Sequence, residues 1–323
     1  MDIDFYKELI EKNYPRYFDG RDPEIHYGPM KELLARGGKR LRPILCMFTC
    51  DTLGGDLYDA IPTAIAIEFF HNFTLIHDDI QDNSLLRRGE PTLHIKYGIP
   101  LILNCGDGLY ALSYQVLKDN ENLLGVDKAW RIFCEMIDMN VLLVEGQAMD
   151  MEFKRDKDMD EDDVIELMRK KTGVLFGAAA GCGAIIADVT NEIKESIKCF
   201  WENIGIAFQI RDDILNLTGK EEDYGKKIGD DIAEGKPTLP LIHCLNNCNE
   251  DEREFIMDHL DHKYDYDKVK EVIDLFKKYG SIDYAEKIAE KILIDSYSAI
   301  EDISIQKKDD MLSFANYFIK RNK

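Results

Sequence analysis

The sequence predicts an all-α fold, and three observations carry that prediction. Apolar residues recur at three- and four-residue intervals over long stretches, as in helices with one buried face. Strand-like alternation bounded by turn residues is scarce. No Ser/Pro-rich linker or low-complexity break divides the chain. With 323 residues, 45% of them hydrophobic, the chain can bury a sizeable core. The expectation is a single domain over 1–323, a large bundle of antiparallel helices joined by short loops.

Along the chain, "MDIDFYKELIEKNYPRYF" is acidic and amphipathic and has no long apolar centre, so it does not read as a signal peptide. "RGGKRLRP", 36–43, sets Lys39, Arg40 and Arg42 at a glycine turn entering a helix, with Pro43 near its start. "FFHNFTLIHDDIQDN", 69–83, runs from apolar and aromatic residues straight into Asp78, Asp79 and Asp82. The segment 83–100 is punctuated by Gly89, Pro91, Gly98 and Pro100 and reads as irregular. Helical periodicity resumes over 128–153, 191–217 and 283–303. A second irregular stretch covers 218–240. The longest apolar run, 174–187, is shorter than the roughly 20 residues of a membrane span.

A formal net charge of −21 disfavours nucleic acid and anionic membranes as partners. An anionic substrate therefore needs a local basic site. The eight cysteines have no zinc-like spacing and lie mostly in apolar helical runs, which points to reduced thiols and a cytoplasmic location. Most acidic strings, such as "EDDVIE" at 161–166 and "KKDDML" at 307–312, read as solvated faces.

Two acidic clusters differ, because apolar helical runs precede them: "DDIQD" at 78–82 and "DDILN" at 212–216. Asp78 and Asp82 are four apart and share one helix face, and Asp212 and Asn216 repeat the spacing. Carboxylates near a packed interior need cations. Hard oxygens in this number suit Mg²⁺ completed by substrate phosphates. A redox di-metal bundle would want an ExxH pairing, which neither cluster has. His77 adjoins Asp78 but points to another face, so it reads as a packing residue. Basic residues gather in "RGGKRLRP", "LLRRGE" (Arg87, Arg88), "RKKTG" (Lys171) and "GKKIGDDIAEGK" (Lys226, Lys236), with no Walker spacing. Together they suggest two anion sites, one through Mg²⁺ and one through Lys and Arg.

In order, "GGKRLRP", "HNFTLIHDDIQD", "RRGEPTLH", "EGQAMD", "KKTG", "FQIRDDILN" and "GKKIGDDIAEGKPTLP" resemble the motifs of the trans-isoprenyl diphosphate synthases, the polyprenyl synthetases. The resemblance covers roughly 30–245. It implies the isoprenoid synthase fold, a helical bundle around a deep central cavity, and a homodimer. It implies a short-chain prenyltransferase that joins an allylic diphosphate (dimethylallyl, geranyl or farnesyl) to isopentenyl diphosphate by Mg²⁺-assisted ionisation and alkylation. By the resemblance, Asp78 and Asp82 bind Mg²⁺ with Asp79 beside them, and Asp212 takes a further ion, three in all. Arg87, Lys171, Thr172, Phe208, Gln209, Lys226 and Lys236 are expected at the allylic diphosphate. Lys39, Arg42, His71 and Arg88 are expected at isopentenyl diphosphate. Gln147, Asp150, Asp213 and Asn216 are supports, Asn216 still offering an oxygen where the motif often has a third acid. Arg321 belongs to a basic tail like that which closes over the second substrate.

Product length is also implied. The side chain five residues before the first aspartate is Phe73, with the small Thr74 beside it. In archaeal-type geranylgeranyl diphosphate synthases an aromatic here closes the product tunnel, so C20 is expected, with C15 or C25 as neighbours. A terpene cyclase ionises the same allylic diphosphate but lacks the Lys39, Arg42, His71, Arg88 set. A regulatory synthase subunit usually loses aspartates that this chain keeps.

Overall fold

A computed structural model of the chain describes residues 2–156, 158–219, 228–260 and 266–319. They form two compact units. Unit 1 comprises Met1–Ile137, Ala178–Lys198 and Ile303–Leu312; unit 2 comprises Asp138–Gly177, Cys199–Asp302 and Ser313–Lys323.

Unit 1 begins with α1 (Ile3–Asn13), whose first turn is capped by the Asp2 carboxylate accepting from the Phe5 amide at 3.1 Å. It continues through α2 (Glu24–Ala35), α3 (Leu41–Thr52) and α4 (Ile61–Gln81). Pro62 sits in the first turn of α4, where its missing N–H costs no hydrogen bond. Every residue from Ile61 to Phe70 is buried. From His71 onward α4 opens, and only Asn72, Ile76 and Asp79 remain buried, on one face at four- and three-residue steps. A helix buried all round thus becomes a helix with one open side just where the acidic motif starts.

The segment 83–100 is not wholly irregular. It holds a hairpin of β1 (Leu86–Arg87) and β2 (Glu90–Pro91) and a short helix, α5 (Leu93–Tyr97). Then come α6 (Ile99–Leu117), which packs along α4, α7 (Asp119–Leu124) and the first part of α8 (Val126–Asp156).

Unit 2 takes the remainder of α8 and then α9 (Glu161–Met168), which starts on an Asp160/Asp163 capping box. A π turn (Arg169–Gly173) links α9 to α10 (Val174–Ile186). After α11 (Asn191–Thr218) come α12 (Asp230–Ala233), α13 (Leu239–Asn247), α14 (Glu250–His259), α15 (Tyr266–Lys278), α16 (Ser281–Ser298) and α17 (Lys308–Ile319); α10, α11 and α17 are shared, with residues 178–186, 191–198 and 308–312 counted in unit 1. Rings of Phe176, Trp201, Phe208, Phe314 and Phe318 meet edge-to-face or tilted in its core. The periodic stretches 128–153 and 191–217 are the helices α8 and α11, within a few residues at each end. Among the described residues, no helix is long and apolar enough to cross a membrane.

Candidate active site

In unit 1 the acidic motif occupies the last turn of α4. Asp82 is its C-cap, and the Asp82 amide donates to the Asp78 carbonyl at 2.8 Å. Asp78 is half-buried, whereas Asp79 and Asp82 are buried. The hairpin after α4 brings Arg87 back over it. Arg87 Nε donates to both Asp79 oxygens at 2.7 and 2.9 Å, and its Nη2 lies 2.7 Å from Asp79 Oδ1 and 3.6 Å from Asp78. Burial pushes the Asp79 carboxyl up, and the Arg87 guanidinium pulls it back. Burial also works against the charge of Arg87, but the bond to Asp79, with Asp78 and Asp82 nearby, outweighs it and raises its pKa. The fork satisfies both Asp79 oxygens, so the ionised pair is the state that fits the geometry. Asp79 is therefore the counter-ion that fixes Arg87.

The basic turn before α3 divides its cations. Arg40, which stands in the same basic turn but is not one of the expected diphosphate ligands, is buried and pairs with Glu68 of α4. Asn72 donates to the same Glu68 oxygen at 2.7 Å. Lys39 stays exposed and Arg42 half-buried. Arg42 Nη1 lies 3.2 Å from His71 Nε2. A guanidinium can only donate, so this imidazole nitrogen accepts and the ring proton sits on Nδ1. Burial, with the charges of Arg42, Arg88 and Arg87, holds the His71 pKa well below its usual value, so His71 is neutral. Arg88 donates to the Gly37 carbonyl. A Cβ on Gly38, at φ +137°, would lie 2.9 Å from Arg88 Nη2. The two glycines of "RGGKRLRP" thus let the turn fold against the Arg88 side chain.

Phe73 packs against Phe70, His77 and Tyr110, with ring centroids at 5.3, 4.9 and 5.0 Å. Thr74 is half-buried, and its hydroxyl donates to the His71 carbonyl at 2.8 Å.

In unit 2 the second cluster lies near the end of α11. Gly173 and Gly205 make it possible. A Cβ on Gly205 would lie 2.9 Å from Gly173 Cα, and one on Gly173 would lie 2.9 Å from the Glu202 carbonyl oxygen. With no side chains there, the π turn presses directly onto α11. Thr172 then donates to Gln209 Oε1 at 2.9 Å, and Gln209 Nε2 donates to Asp213 Oδ1 at 2.8 Å. Lys171 reaches Asp150 of α8 at 2.7 Å. Burial, reinforced by the charge of Asp231, pushes the Asp213 carboxyl well up, while Gln209 pulls it down.

Asn216, expected as a support that still offers an oxygen, directs that oxygen at the protein. It is fully buried, and its Oδ1 accepts from the Asp231 amide at 3.2 Å. Its main-chain carbonyl accepts from the Gly229 amide at 2.8 Å. Asp231, which sequence reasoning did not single out, is buried and lies 3.3 Å from Lys236. The doubled acid of "IGDDIAEGK" was the available signal, hidden among 62 Asp and Glu residues. Phe208 is also buried, against Phe176 and Phe318 at 5.5 and 5.9 Å. Gln147 and Asp212 are half-buried. Lys226 and Arg321 lie outside the described residues.

Among the described residues, no three His, Cys, Asp or Glu side chains form a metal nest by themselves. Each centre still has the donor chemistry for a hard divalent ion. Unit 1 offers Asp78 and Asp82 on one helix face. In unit 2, Asp212 adjoins a buried carboxyl whose ionisation is opposed by neighbouring acids. A cation at the second centre would offset crowded acid, one at the first would meet Asp78 and Asp82 beside the Asp79–Arg87 pair, and both fit an ion completed by ligand oxygens.

Residues 23–276 match the polyprenyl synthetase family. Over 316 residues the chain is 38% identical to a geranylgeranyl diphosphate synthase of Sulfolobus acidocaldarius, covering 95% of this chain and 94% of that protein. Over 283 residues it is 40% identical to a short chain isoprenyl diphosphate synthase of Methanocaldococcus jannaschii, covering 86% and 83%. The structure of a geranylgeranyl pyrophosphate synthetase from Pyrococcus horikoshii superposes with a TM-score of 0.91 at 34% identity, over 99% of this chain and 97% of that one. The chain belongs to the polyprenyl synthetase family and is a short-chain trans-prenyltransferase, a prenyl diphosphate synthase.

Proposed function

We propose that the chain, acting as one catalytic domain, condenses isopentenyl diphosphate onto an allylic diphosphate and makes geranylgeranyl diphosphate, C20. The observation that carries the reading is the last turn of α4. There Asp78 and Asp82 present oxygens beside an Arg87 already fixed by Asp79, and the same helix carries neutral His71 bonded to Arg42 about two turns earlier. Acid for metals and the partner of a basic diphosphate ligand thus lie on one helix, about two turns apart.

Asp78, Asp82 and Asp212 would hold Mg²⁺, three ions in all, which supply charge neutralisation to the departing diphosphate. Arg87, Lys171, Lys226 and Lys236 bind the oxygens of the allylic diphosphate. Thr172 and Gln209 orient them, Gln147 supports them, and Asp150 holds Lys171. Lys39, Arg42, His71 and Arg88 hold isopentenyl diphosphate. Once the allylic C–O bond breaks, the isopentenyl double bond attacks the cation, and a proton leaves to the released diphosphate. Apolar walls, Phe208 among them, keep water from the cation.

The C20 assignment is supported by Phe73, whose ring is backed by Phe70 and Tyr110, and by the named products of the relatives above. Phe73→Ala should lengthen the product. A homodimer is supported by apolar side chains exposed along one stripe of α8: Trp130, Val141, Val144 and Met151, 53–62% exposed. Eight free thiols support a cytoplasmic setting.

The test incubates the purified chain with labelled isopentenyl diphosphate, Mg²⁺ and, in turn, dimethylallyl, geranyl and farnesyl diphosphates. Label in a C20 product supports the reading. No label in any longer chain overturns it, and a cyclic hydrocarbon from the allylic substrate alone would favour a cyclase.

A further inference from the structure

We infer that Asn216 is the positioning residue for Lys236: an amide clamp between α11 and the lysine-bearing segment, acting in place of a metal ligand. The inference rests on the reading of Lys236 as a diphosphate ligand and adds how that lysine is held. Four bonds converge. The Asn216 carbonyl accepts from the Gly229 amide at 2.8 Å, and its side-chain oxygen accepts from the Asp231 amide at 3.2 Å. The Asp231 carbonyl then accepts from the Lys236 amide at 2.9 Å, and the Asp231 carboxylate lies 3.3 Å from Lys236 Nζ. One residue of α11 thereby fixes the start of α12 and, through Asp231, the backbone of Lys236, whose ammonium group lies between Asp231 at 3.3 Å and Glu234 at 2.5 Å.

The residue type follows from the site. The position is fully buried. Asp213, on the same helix, and Asp231, bonded to Asn216, are already two buried acids at this place. A neutral side chain accepts the Asp231 N–H without adding a third charge to that cluster. The oxygen that faces the Asp231 amide is engaged with the protein. The amide in "DDILN" is thus a consequence of where the start of α12 docks.

The experiment compares Asn216→Ala and Lys236→Ala, singly and together, in the full-length enzyme with Mg²⁺. Asn216→Ser, which keeps a small polar group too short to reach Asp231, serves as a milder variant should alanine impair folding. Loss of the clamp should raise the KM for the allylic diphosphate about tenfold, the scale of one lost buried hydrogen bond. The KM for isopentenyl diphosphate and the Mg²⁺ half-saturation should stay within about twofold. If Asn216 acts through Lys236, the double variant should be no worse than Lys236→Ala alone. Additive losses, or a Mg²⁺ requirement raised in the Asn216 variants alone, overturn the clamp and make Asn216 a ligand. If Lys236→Ala leaves the allylic KM unchanged, the substrate role of Lys236 fails and the inference with it. If only the Asn216 variants leave that KM unchanged, the clamp alone fails.

Discussion

The ends of α4 and α11 carry nearly the same motif, DDIQD and DDILN, and each buries its second aspartate, yet the protein treats the two charges differently. Asp79 meets a guanidinium fork from the hairpin, with both its oxygens engaged. Asp213 meets a single amide, Gln209, while Asp231 and Asp212 oppose its ionisation. The first centre carries its own counter-charge. The second is crowded with acid and braced by neutral hydrogen bonds. Motif similarity therefore says where oxygens gather, and the neighbouring loop decides how their charge is balanced.

The sharpest way to break the comparison is through the carboxylates assigned to metal. Asp78→Asn removes one of two acids on a single helix face, and kcat/KM should fall roughly a hundred- to a thousandfold. Asp212→Asn should cost at least as much, because the adjoining Asp213 is buried, held by Gln209 and disfavoured in its ionised form, whereas Asp82 remains after Asp78→Asn. Chelation should abolish activity of the native enzyme, and added Mg²⁺ should restore it. Steady-state kinetics checks all three, and a smaller loss for Asp212→Asn than for Asp78→Asn would overturn this ordering.

Stability should separate them in sign. Asp79→Asn leaves the largely buried Arg87 without its forked partner, and removing one member of a buried pair costs about 3 kcal/mol. Asp213→Asn removes a carboxyl whose ionisation burial disfavours and keeps an acceptor for Gln209. Its Tm at neutral pH should be unchanged or higher. Thermal unfolding of the two variants side by side would show the contrast, and a large loss for Asp213→Asn would erase it.

Much of this was legible in the sequence, for identifiable reasons. Periodicity located α8 and α11 because long amphipathic helices leave a repeated signal. The i,i+4 spacing of Asp78 and Asp82 was readable because both lie within one helix and its cap. What escaped was tertiary. Arg40 stands in the same basic string as Arg42, but nothing local says that Glu68, 28 residues on, claims it. Asn216 looked like a weakened ligand because its partner, the Asp231 amide, is a backbone group that no motif records. The close approach at Gly173 and Gly205 needs two helices to be seen together.

The smallest expected effect concerns pH, and it tests whether His71 is held neutral by the arginines around it. Its folded pKa lies well below the usual value near 6.5, through burial and the charges of Arg42, Arg88 and Arg87. Between the two pKa values the unfolded chain binds the extra proton and the folded chain does not. Stability from this residue is therefore complete above pH 6.5 and is lost as pH falls below it, by at most about 1.4 kcal/mol per pH unit. His71→Asn keeps a polar side chain that does not titrate, so its unfolding free energy should fall less steeply than that of the native protein between pH 6.5 and 5.5. Denaturant unfolding at several pH values measures the slopes. Parallel slopes would mean that His71 takes up its proton in the folded protein as readily as in the unfolded chain, and that Arg42 then turns away from it.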